Sequence, residues 1–298
     1  MRLVTRGDLD GLTCAVLITS CEDVRAIELI HPQDVTDKRV EIGPEDILAN
    51  LPYHPRCGKW FDHHLLTDSN EQPPERFEGR YGLAPSAARV VYEYYQPARP
   101  DLKRFEPLLA ETDRLDAAQL NLDDVLDPQG YILLGLTLDP RTGLGAYKEY
   151  FLLLLEKLKT RPLAEIMELP EVRERVQRLR AQDAEFREAT LRCSRLDGNV
   201  VVTDFRALDS LPVGNRFLVY TLFPRANVQV RVHWGPQRQR VAVAVGHSIF
   251  NRTCRTKVGE LMSTYGGGGH RGAGTCVLAL DRAEAQVAEI VAALKAAG

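Results

Sequence analysis

The sequence lacks three features that would each indicate a function class: a CxxC pair, a long basic block and a long apolar run. Its six cysteines are scattered, which argues against a zinc knuckle and a disulfide framework, and predicts reduced thiols. They are Cys14, Cys21, Cys57, Cys193, Cys254 and Cys276. The net charge is −3, so an electrostatic track for long nucleic acid is not supported, although a local basic pocket remains open.

The apolar segments are too short for a membrane protein. The longest, YFLLLLE, falls far below the length that spans a bilayer. In the N-terminal stretch MRLVTRGDLDGL, acidic residues arrive before the apolar segment of a signal peptide can form. We therefore expect a soluble cytoplasmic protein without a membrane partner.

Alternating strand and helix patterns in the first half predict an α/β fold with a parallel sheet. Four segments have the pattern of short strands: RLVT, RAIELI, DILANL and GKWFDH. The segment LTCAVLITSC after the first strand is predicted to be a helix. From Pro85 the pattern becomes helical, with further helices predicted over 103–120, 123–138 and 144–159.

The pattern changes after residue 160. The charge-rich stretch 161–195 has apolar positions at helical spacing, and we interpret it as a helical connector between domains. Residues 196–298 contain four strand patterns, VVVTDF, RFLVYTLF, VQVRVHW and RVAVAVG, followed by helical segments. We therefore expect one domain over 1–160 and a smaller α+β domain over 196–298.

Acids and histidines follow two of the predicted strands. Asp8 and Asp10 come after the first strand, and Asp62, His63 and His64 after the fourth. Because ligand sites form at the carboxyl ends of parallel strands, these groups are expected to meet around a divalent metal. Carboxylate with imidazole favours Mn²⁺, Co²⁺ or Fe²⁺ over Mg²⁺ alone. The structural alternatives are an Asp-rich turn capping a helix and a polar strand end with one buried histidine.

Two further segments fit a phosphate-handling site. ETDRLD places Asp113 and Asp116 three positions apart on a predicted helix, where both can point the same way. In YGGGGHRGAG, a run without Cβ atoms lets backbone amides approach a phosphate, and His270 can donate to it. Solvated acids on a helix face and a flexible glycine turn are the alternatives.

Together these motifs resemble those of the DHH phosphoesterase superfamily. GDLDGL is similar to its first motif, FDHH to the name-giving motif, ETDRLD to the fourth, and GGGGH to the signature of the DHH-associated domain. The superfamily includes RecJ-type exonucleases, oligoribonucleases, cyclic-dinucleotide phosphodiesterases, exopolyphosphatases and family II pyrophosphatases. The resemblance implies a metal-dependent phosphoesterase with its site in the cleft between the two domains, and a homodimer as a family-level expectation.

The sequence departs from the family pattern at two positions. Arg6 stands where the first motif usually carries a histidine; it cannot ligate a metal because it stays protonated, but it can bind a phosphate. The second motif usually ends a strand with Asp, and the counterpart here is Asn50, since Asp46 begins the predicted strand. We therefore hypothesise a site centred on one metal, or one whose second metal arrives with the substrate.

The residues and the resemblance together predict three groups of site residues. The predicted metal ligands are Asp8, Asp10, His63, Asp113 and Asn50. The predicted catalytic residues are Asp62, His63, His64 and Arg6. The predicted substrate-binding residues are Ser248, Asn251, Arg252, Gly267, Gly268, Gly269 and His270. The expected metal is Mn²⁺, with Mg²⁺ or Co²⁺ as alternatives.

The expected activity is hydrolysis of a short nucleotide: an oligonucleotide, a cyclic or linear dinucleotide, or a nucleoside bisphosphate. The chain has no room for the additional nucleic-acid domain of long RecJ-type exonucleases, and its acidic balance disfavours a long polyanion. Two alternatives stay open, namely an exopolyphosphatase or pyrophosphatase, and a catalytically degenerate nucleotide-binding protein.

Overall fold

The computed structural model describes residues 1–64, 74–138 and 147–297, and the chain divides into two compact units. The first unit comprises Met1–Leu120 and Asp127–Leu179, and the second Asn121–Leu126 and Arg180–Gly298. Among the described residues, no helix combines the length and the apolar character needed to cross a membrane.

A five-stranded parallel sheet is the centre of the first unit. Its strands are β1 (Arg2–Thr5), β2 (Ala26–Leu29), β3 (Asp46–Ala49), β4 (Lys59–Asp62) and β5 (Gly79–Tyr81). They lie in the order β2-β1-β3-β4-β5, and every neighbouring pair is parallel. The inner strands carry continuous apolar residues because both faces of the sheet are covered, and Leu3, Leu48 and Trp60 are fully buried.

Helices cover this sheet and build the core of the first unit. They are α1 (Leu9–Ile18), α2 (Pro32–Thr36), α3 (Ala87–Tyr95), α4 (Glu106–Asp116), α6 (Gly130–Leu136), α7 (Tyr147–Thr160), α8 (Leu163–Met167) and the first part of α9 (Pro170–Cys193). Helix α5 (Leu122–Leu126) belongs to the second unit. Every residue of α1 is buried, because α1 packs against α3, α4 and α7 as well as the sheet. Gly11 is required there, since a Cβ at this position would lie 2.0 Å from the carbonyl oxygen of Arg6.

A mixed six-stranded sheet forms the second unit. Its strands are β6 (Ser194–Asp197), β7 (Val200–Asp204), β8 (Val228–Trp234), β9 (Arg240–His247), β10 (Gly268–His270) and β11 (Ala273–Ala279), in the order β10-β11-β9-β8-β7-β6. Only β7 and β8 pair in parallel among these described strands. Three more helices belong to this unit: α10 (Leu218–Leu222), α11 (Val258–Ser263) and α12 (Ala283–Ala296). Alternate valines of β8 and β9 form its core together with α12.

The predicted α/β class with a second, smaller sheet domain is confirmed. The prediction of a strand over RFLVYTLF is wrong, because these residues contain the helix α10. The Asn215 side chain accepts a hydrogen bond from the backbone amide of Phe217, at 3.0 Å, in the turn just before the helix. Packing then overrides the strand preference of the β-branched and aromatic residues, because Leu218 and Val219 are buried on one short helix. Strands β5, β6, β10 and β11 were not predicted.

Ser86 gives a test of how the fold holds α3. Its hydroxyl is fully buried, accepts from the backbone amide of Arg89 at 3.0 Å and donates to Asp113 at 2.6 Å. We expect Ser86→Ala to lower the free energy of unfolding by about 1–2 kcal/mol, because the helix loses its N-cap and Asp113 loses a donor. The shift of the urea midpoint measures this. Ser20→Ala is the matched control, since the half-buried Ser20 hydroxyl donates, among the described residues, only to the Val16 carbonyl. An equal loss there would contradict the capping argument.

Candidate active site

The carboxyl ends of three adjacent strands bring the predicted site residues together. β1, β3 and β4 are neighbours in the sheet, with Thr5 beside Ala49 and Ala49 beside Phe61. The residues that follow are Arg6 after β1 and Asn50 after β3, while Asp62 is the last residue of β4. This edge is where parallel sheets form ligand sites, as the sequence predicted.

Asp10 is a buried carboxylate held at the start of another helix. It lies in the first turn of α1, and its oxygens accept from the backbone amides of Ala87, at 2.9 Å, and Ala88, at 2.8 Å. These amides belong to the first turn of α3, where the exposed N–H groups and the helix dipole favour a negative charge. The chain thus fixes the Asp10 side chain with backbone bonds from a distant helix.

His63 is held in one tautomer by a backbone carbonyl. Its Nδ1 lies 2.9 Å from the carbonyl oxygen of Ala84, which can only accept, so Nδ1 carries the proton. In the neutral ring, Nε2 then presents a lone pair. This atom is buried and, among the described residues, has no hydrogen-bond partner, although it lies 3.2 Å from an Asp116 oxygen and 3.8 Å from an Asp10 oxygen.

Asp10, His63 and Asp116 fit a divalent metal ion. Their potential ligand atoms all lie within 4.8 Å of one another. Burial, followed by the charge of Asp116, raises the pKa of Asp10 above its usual range, because two carboxylates crowd one site. Together with the buried lone pair of His63, this donor set of two carboxylates and one imidazole suits a transition-metal dication.

Asp62 and His64 form a second polar pair beside this group. His64 Nδ1 lies 2.8 Å from a carboxylate oxygen of Asp62, which is buried at the end of β4. Burial lowers the pKa of His64, but the hydrogen bond and charge of Asp62 outweigh it, and the net effect is a raised pKa. The His64 side chain is 43% exposed, so its Nε2 edge can reach a substrate.

Asp8 has three contacts with donors from within the protein. One of its oxygens accepts from the Gly11 amide at 2.9 Å and from the Asn50 side-chain amide at 3.2 Å, and the other lies 3.1 Å from Arg6 Nη2. Asn50 is fully buried in the left-handed region, at φ 59°, and its Oδ1 has no hydrogen-bond partner among the described residues. The structure therefore places Asp8, Asn50 and Arg6 together, next to the group around His63.

The structure does not bring Asp113 to His63. Its carboxylate instead pairs with the guanidinium of Arg89 and accepts from Ser86 Oγ at 2.6 Å. Asp116, one helical turn beyond Thr112, occupies the position beside His63. The signal for Asp116 was in the sequence: Leu108, Thr112 and Asp116 follow the i, i+4 spacing of one helix face, and the first two are buried.

Sequence reasoning also missed the backbone groups of the site. The Ala84 carbonyl and the amides of Ala87 and Ala88 carry no side-chain signature. The serine of PSAA, which caps α3 at Ser86, was the available sign that a helix N-terminus lies there. Backbone amides at the N-terminus of a helix commonly bind an anion, so this serine would have indicated the amides that bind Asp10.

In the second unit, Ser248, Asn251 and Arg252 lie in the turn that follows β9. Ser248 Oγ accepts from the amide of Asn251 at 3.0 Å, and Asn251 Oδ1 accepts from Thr253 Oγ1 at 2.8 Å. Arg252 is exposed, and its Nε donates to the Ile249 carbonyl at 3.0 Å. Ser248 and Asn251 thus shape the turn that carries Arg252, and substrate binding by these residues stays a prediction.

The glycine run, whose backbone amides were expected to approach a phosphate, lies partly in a closely packed strand. Gly268–His270 form β10, paired with β11. A Cβ on Gly267 would lie 2.0 Å from the Thr275 carbonyl oxygen, and one on Gly269 would lie 2.3 Å from that of Ala273. These two glycines are therefore needed for the strand pair itself, while Gly268 has open space. His270 is exposed and its Nδ1 accepts from the Gly272 amide at 3.1 Å.

Comparison with known proteins gives the class. No family model and no curated protein matches the chain. Among solved structures, the pGpG-specific phosphodiesterase PggH from Vibrio cholerae is 38% identical, with the match covering 100% of this chain and 99% of that one at a TM-score of 0.81. The DHH domain of PF0399, a member of the s1p family of ribosomal proteins, is 13% identical, covering 99% and 86% at a TM-score of 0.57. RecJ from Thermus thermophilus, in complex with Mn²⁺, is 13% identical, covering 98% and 52% at a TM-score of 0.53.

The similarity to PF0399 and RecJ shows the fold alone, because both are only 13% identical to this chain. The similarity to PggH covers both chains, and its 38% identity shows that the two proteins belong to one family. The chain belongs to the DHH phosphoesterase superfamily, as its motifs indicated. It is a metal-dependent phosphoesterase, and the group around His63 has the donor atoms that such an enzyme needs.

Proposed function

We propose that this enzyme hydrolyses the phosphodiester bond of short linear dinucleotides of the pGpG kind, releasing mononucleotides. The observation that carries the reaction is the buried, unpartnered Nε2 of His63 facing the carboxylates of Asp10 and Asp116. The substrate class is supported by the full-length relationship to a phosphodiesterase described as pGpG-specific. A net charge of −3 also suits a short anion better than a long polymer.

The cation belongs, in this proposal, to Asp10, His63 and Asp116, with Mn²⁺ as the preferred ion because a mixed carboxylate and imidazole set favours it over Mg²⁺. A bound dication supplies Lewis-acid charge for attack on phosphorus. The six free cysteines are consistent with a cytoplasmic location.

The side chains of the site have separate tasks. Asp10 and His63 are preoriented by backbone bonds, so little reorganisation precedes the reaction. Asp62 keeps the His64 ring oriented and favours its protonated form, so that His64 can donate a proton to the leaving oxygen. Arg6 is one-third exposed at the same strand edge, and the donors that Asp8 does not occupy can bind the substrate phosphate.

A panel of substrates tests the proposal. With Mn²⁺ present, we expect release of mononucleotide from a 5′-phosphorylated linear dinucleotide at a rate at least about 100-fold above that from a cyclic dinucleotide or the phosphate release from polyphosphate, since only the first supplies both an end phosphate and a single scissile bond. A chelator should abolish the activity. The Asp10→Asn variant, purified identically, controls for contaminating nucleases.

The other outcomes identify the alternatives. Preferential release of phosphate from polyphosphate or pyrophosphate would replace the proposal with a phosphoanhydride hydrolase. Saturable dinucleotide binding without turnover under any divalent metal would indicate a catalytically degenerate nucleotide-binding protein.

A further inference from the structure

Arg6 and Asp8 form an ion pair where a strand end meets the metal-binding group. The two atoms are 3.1 Å apart, and each side chain is about one-third exposed. Arg6 is permanently charged, so the carboxylate of Asp8 already has a cation beside it. By contrast, the only basic side chain within ion-pair distance of Asp10, among the described residues, is His63. The Ala84 carbonyl holds the proton of His63 at Nδ1, so the Nε2 lone pair is on the side of Asp10.

The donors around Asp8 leave it little capacity for a second ion. The Gly11 amide and the Asn50 side chain occupy one oxygen, and Arg6 lies against the other. The orientation of the Asn50 amide follows from this contact, because the reverse orientation would set its oxygen against a carboxylate. The amide thus adds donors at the place where a second dication would need negatively charged acceptors.

A second group, of one acid and two histidines, has part of its ligand atoms in hydrogen bonds. Asp62, His63 and His64 also have potential ligand atoms within 4.8 Å of one another. However, His64 Nδ1 and Asp62 bond each other at 2.8 Å, and His63 Nδ1 bonds the Ala84 carbonyl. Of the two His63 nitrogens, Nε2 is therefore the one left to ligate a metal, and it faces Asp10 and Asp116.

We propose that the site binds a single divalent cation, through Asp10, His63 and Asp116, and that Arg6, fixed by Asp8, is the second positive charge that binds the substrate phosphate. Asp8 is then a positioning residue for Arg6, with no bond to the metal. The phosphate-binding half of this inference rests on the proposed phosphoesterase function, while the metal count does not.

Arg6 has the geometry for this task. Its guanidinium carries five N–H donors in a fixed plane, of which the contact with Asp8 uses Nη2. A guanidinium can bind two phosphate oxygens at once, which a dication would otherwise have to bridge.

Metal counting with Mn²⁺ alone tests the first half, by calorimetry and native mass spectrometry. The informative variant is the double substitution Arg6→Gln/Asp8→Asn, which removes the pair without changing net charge, and in which Asn can still cap α1. We expect one equivalent of Mn²⁺ in the wild type and in the double variant, with dissociation constants within about fivefold, as for independent sites. Asp10→Asn should weaken binding by about 100-fold or more.

Two tightly bound equivalents in the wild type would overturn the single-cation site. So would a double variant that loses Mn²⁺ binding to the same degree as Asp10→Asn, because Asp8 would then be a ligand. Circular dichroism and the melting temperature establish that each variant is folded.

Inorganic phosphate tests the second half without any assumption about the dinucleotide. On the Mn²⁺-loaded protein, we expect its affinity to fall about tenfold in Arg6→Gln and in the double variant, because one charge-assisted contact is lost. Unchanged phosphate affinity in both variants would reject the role of Arg6. If phosphate and metal behave as expected but no dinucleotide is cleaved, the inference stands and the proposed substrate is wrong.

Discussion

His63→Gln is expected to lower kcat/KM for a linear dinucleotide by about 1,000-fold, with loss of tightly bound Mn²⁺. The reason is the single buried lone pair at Nε2, which faces Asp10 and Asp116 and has no other described partner. Gln has a similar volume but cannot present a nitrogen lone pair there. Steady-state rates with Mn²⁺ and metal content after purification measure the effect.

His233→Gln is the matched control for this substitution. The His233 Nδ1 also bonds a backbone carbonyl, that of Trp234 at 2.9 Å, but it lies in the second unit on β8. We expect its kcat/KM and metal content to equal those of the wild type. If His63→Gln kept a normal metal content and more than about a tenth of the rate, the assignment of His63 as the central ligand would be wrong.

The second large effect separates two acids on one helix. We expect Asp116→Asn to lower Mn²⁺ affinity and kcat each by about 100-fold, because Asp116 lies 3.2 Å from His63 Nε2. Asp113→Asn should leave both nearly unchanged and instead lower the free energy of unfolding by about 2 kcal/mol, because the partly buried Arg89 loses its anionic partner. Calorimetric Mn²⁺ titration and urea unfolding, performed on both variants, give the comparison.

The opposite result in Asp113→Asn and Asp116→Asn would contradict this prediction. Should Asp113→Asn lose the metal while Asp116→Asn retains it, the ligand predicted from sequence would be the correct one. The ion pair of Asp113 with Arg89 would then have to break when the metal binds. Because both changes are isosteric and on α4, differences in helix propensity between them are small.

The strand ends of the first unit were predictable for a physical reason. Parallel strands covered on both faces need continuous apolar residues, so β1, β3 and β4 stand out as short runs that stop at polar residues. The neighbouring placement of Asp8, Asn50 and Asp62 follows from this pattern and from the way parallel sheets place their carboxyl ends on one side.

The choice between Asp113 and Asp116 was harder to make from the sequence. Two residues that are three positions apart on a helix are rotated by only about 60° less than one full turn. Spacing alone puts both acids on roughly the same side. Two features distinguish the surroundings of the two acids. Asp116 is on the same helix face as the buried residues Leu108 and Thr112, and Asp113 is bonded to Arg89 on a different helix. Such contacts between helices carry no signal in the sequence of either one.

The second unit shows the same limit in another form. The alternating valines of β8 and β9 were recognisable because one face packs on α12. Helix α10 was not, since its five residues are too few for a helical period to be seen against β-branched and aromatic neighbours. The glycines of β10 were recognised as unusual, but their need for close packing depends on the carbonyl groups of β11.

The bond between His63 and the carbonyl of Ala84 has a consequence for mutational studies of this enzyme. The acceptor is part of the main chain, so every residue type at position 84 would supply it. A side-chain scan at that position would therefore report tolerance, and a comparison of relatives would find variability, even though the atom decides which ring nitrogen carries the proton. Changes to the path of the backbone, such as an insertion between β5 and α3, would reveal the dependence that substitutions conceal.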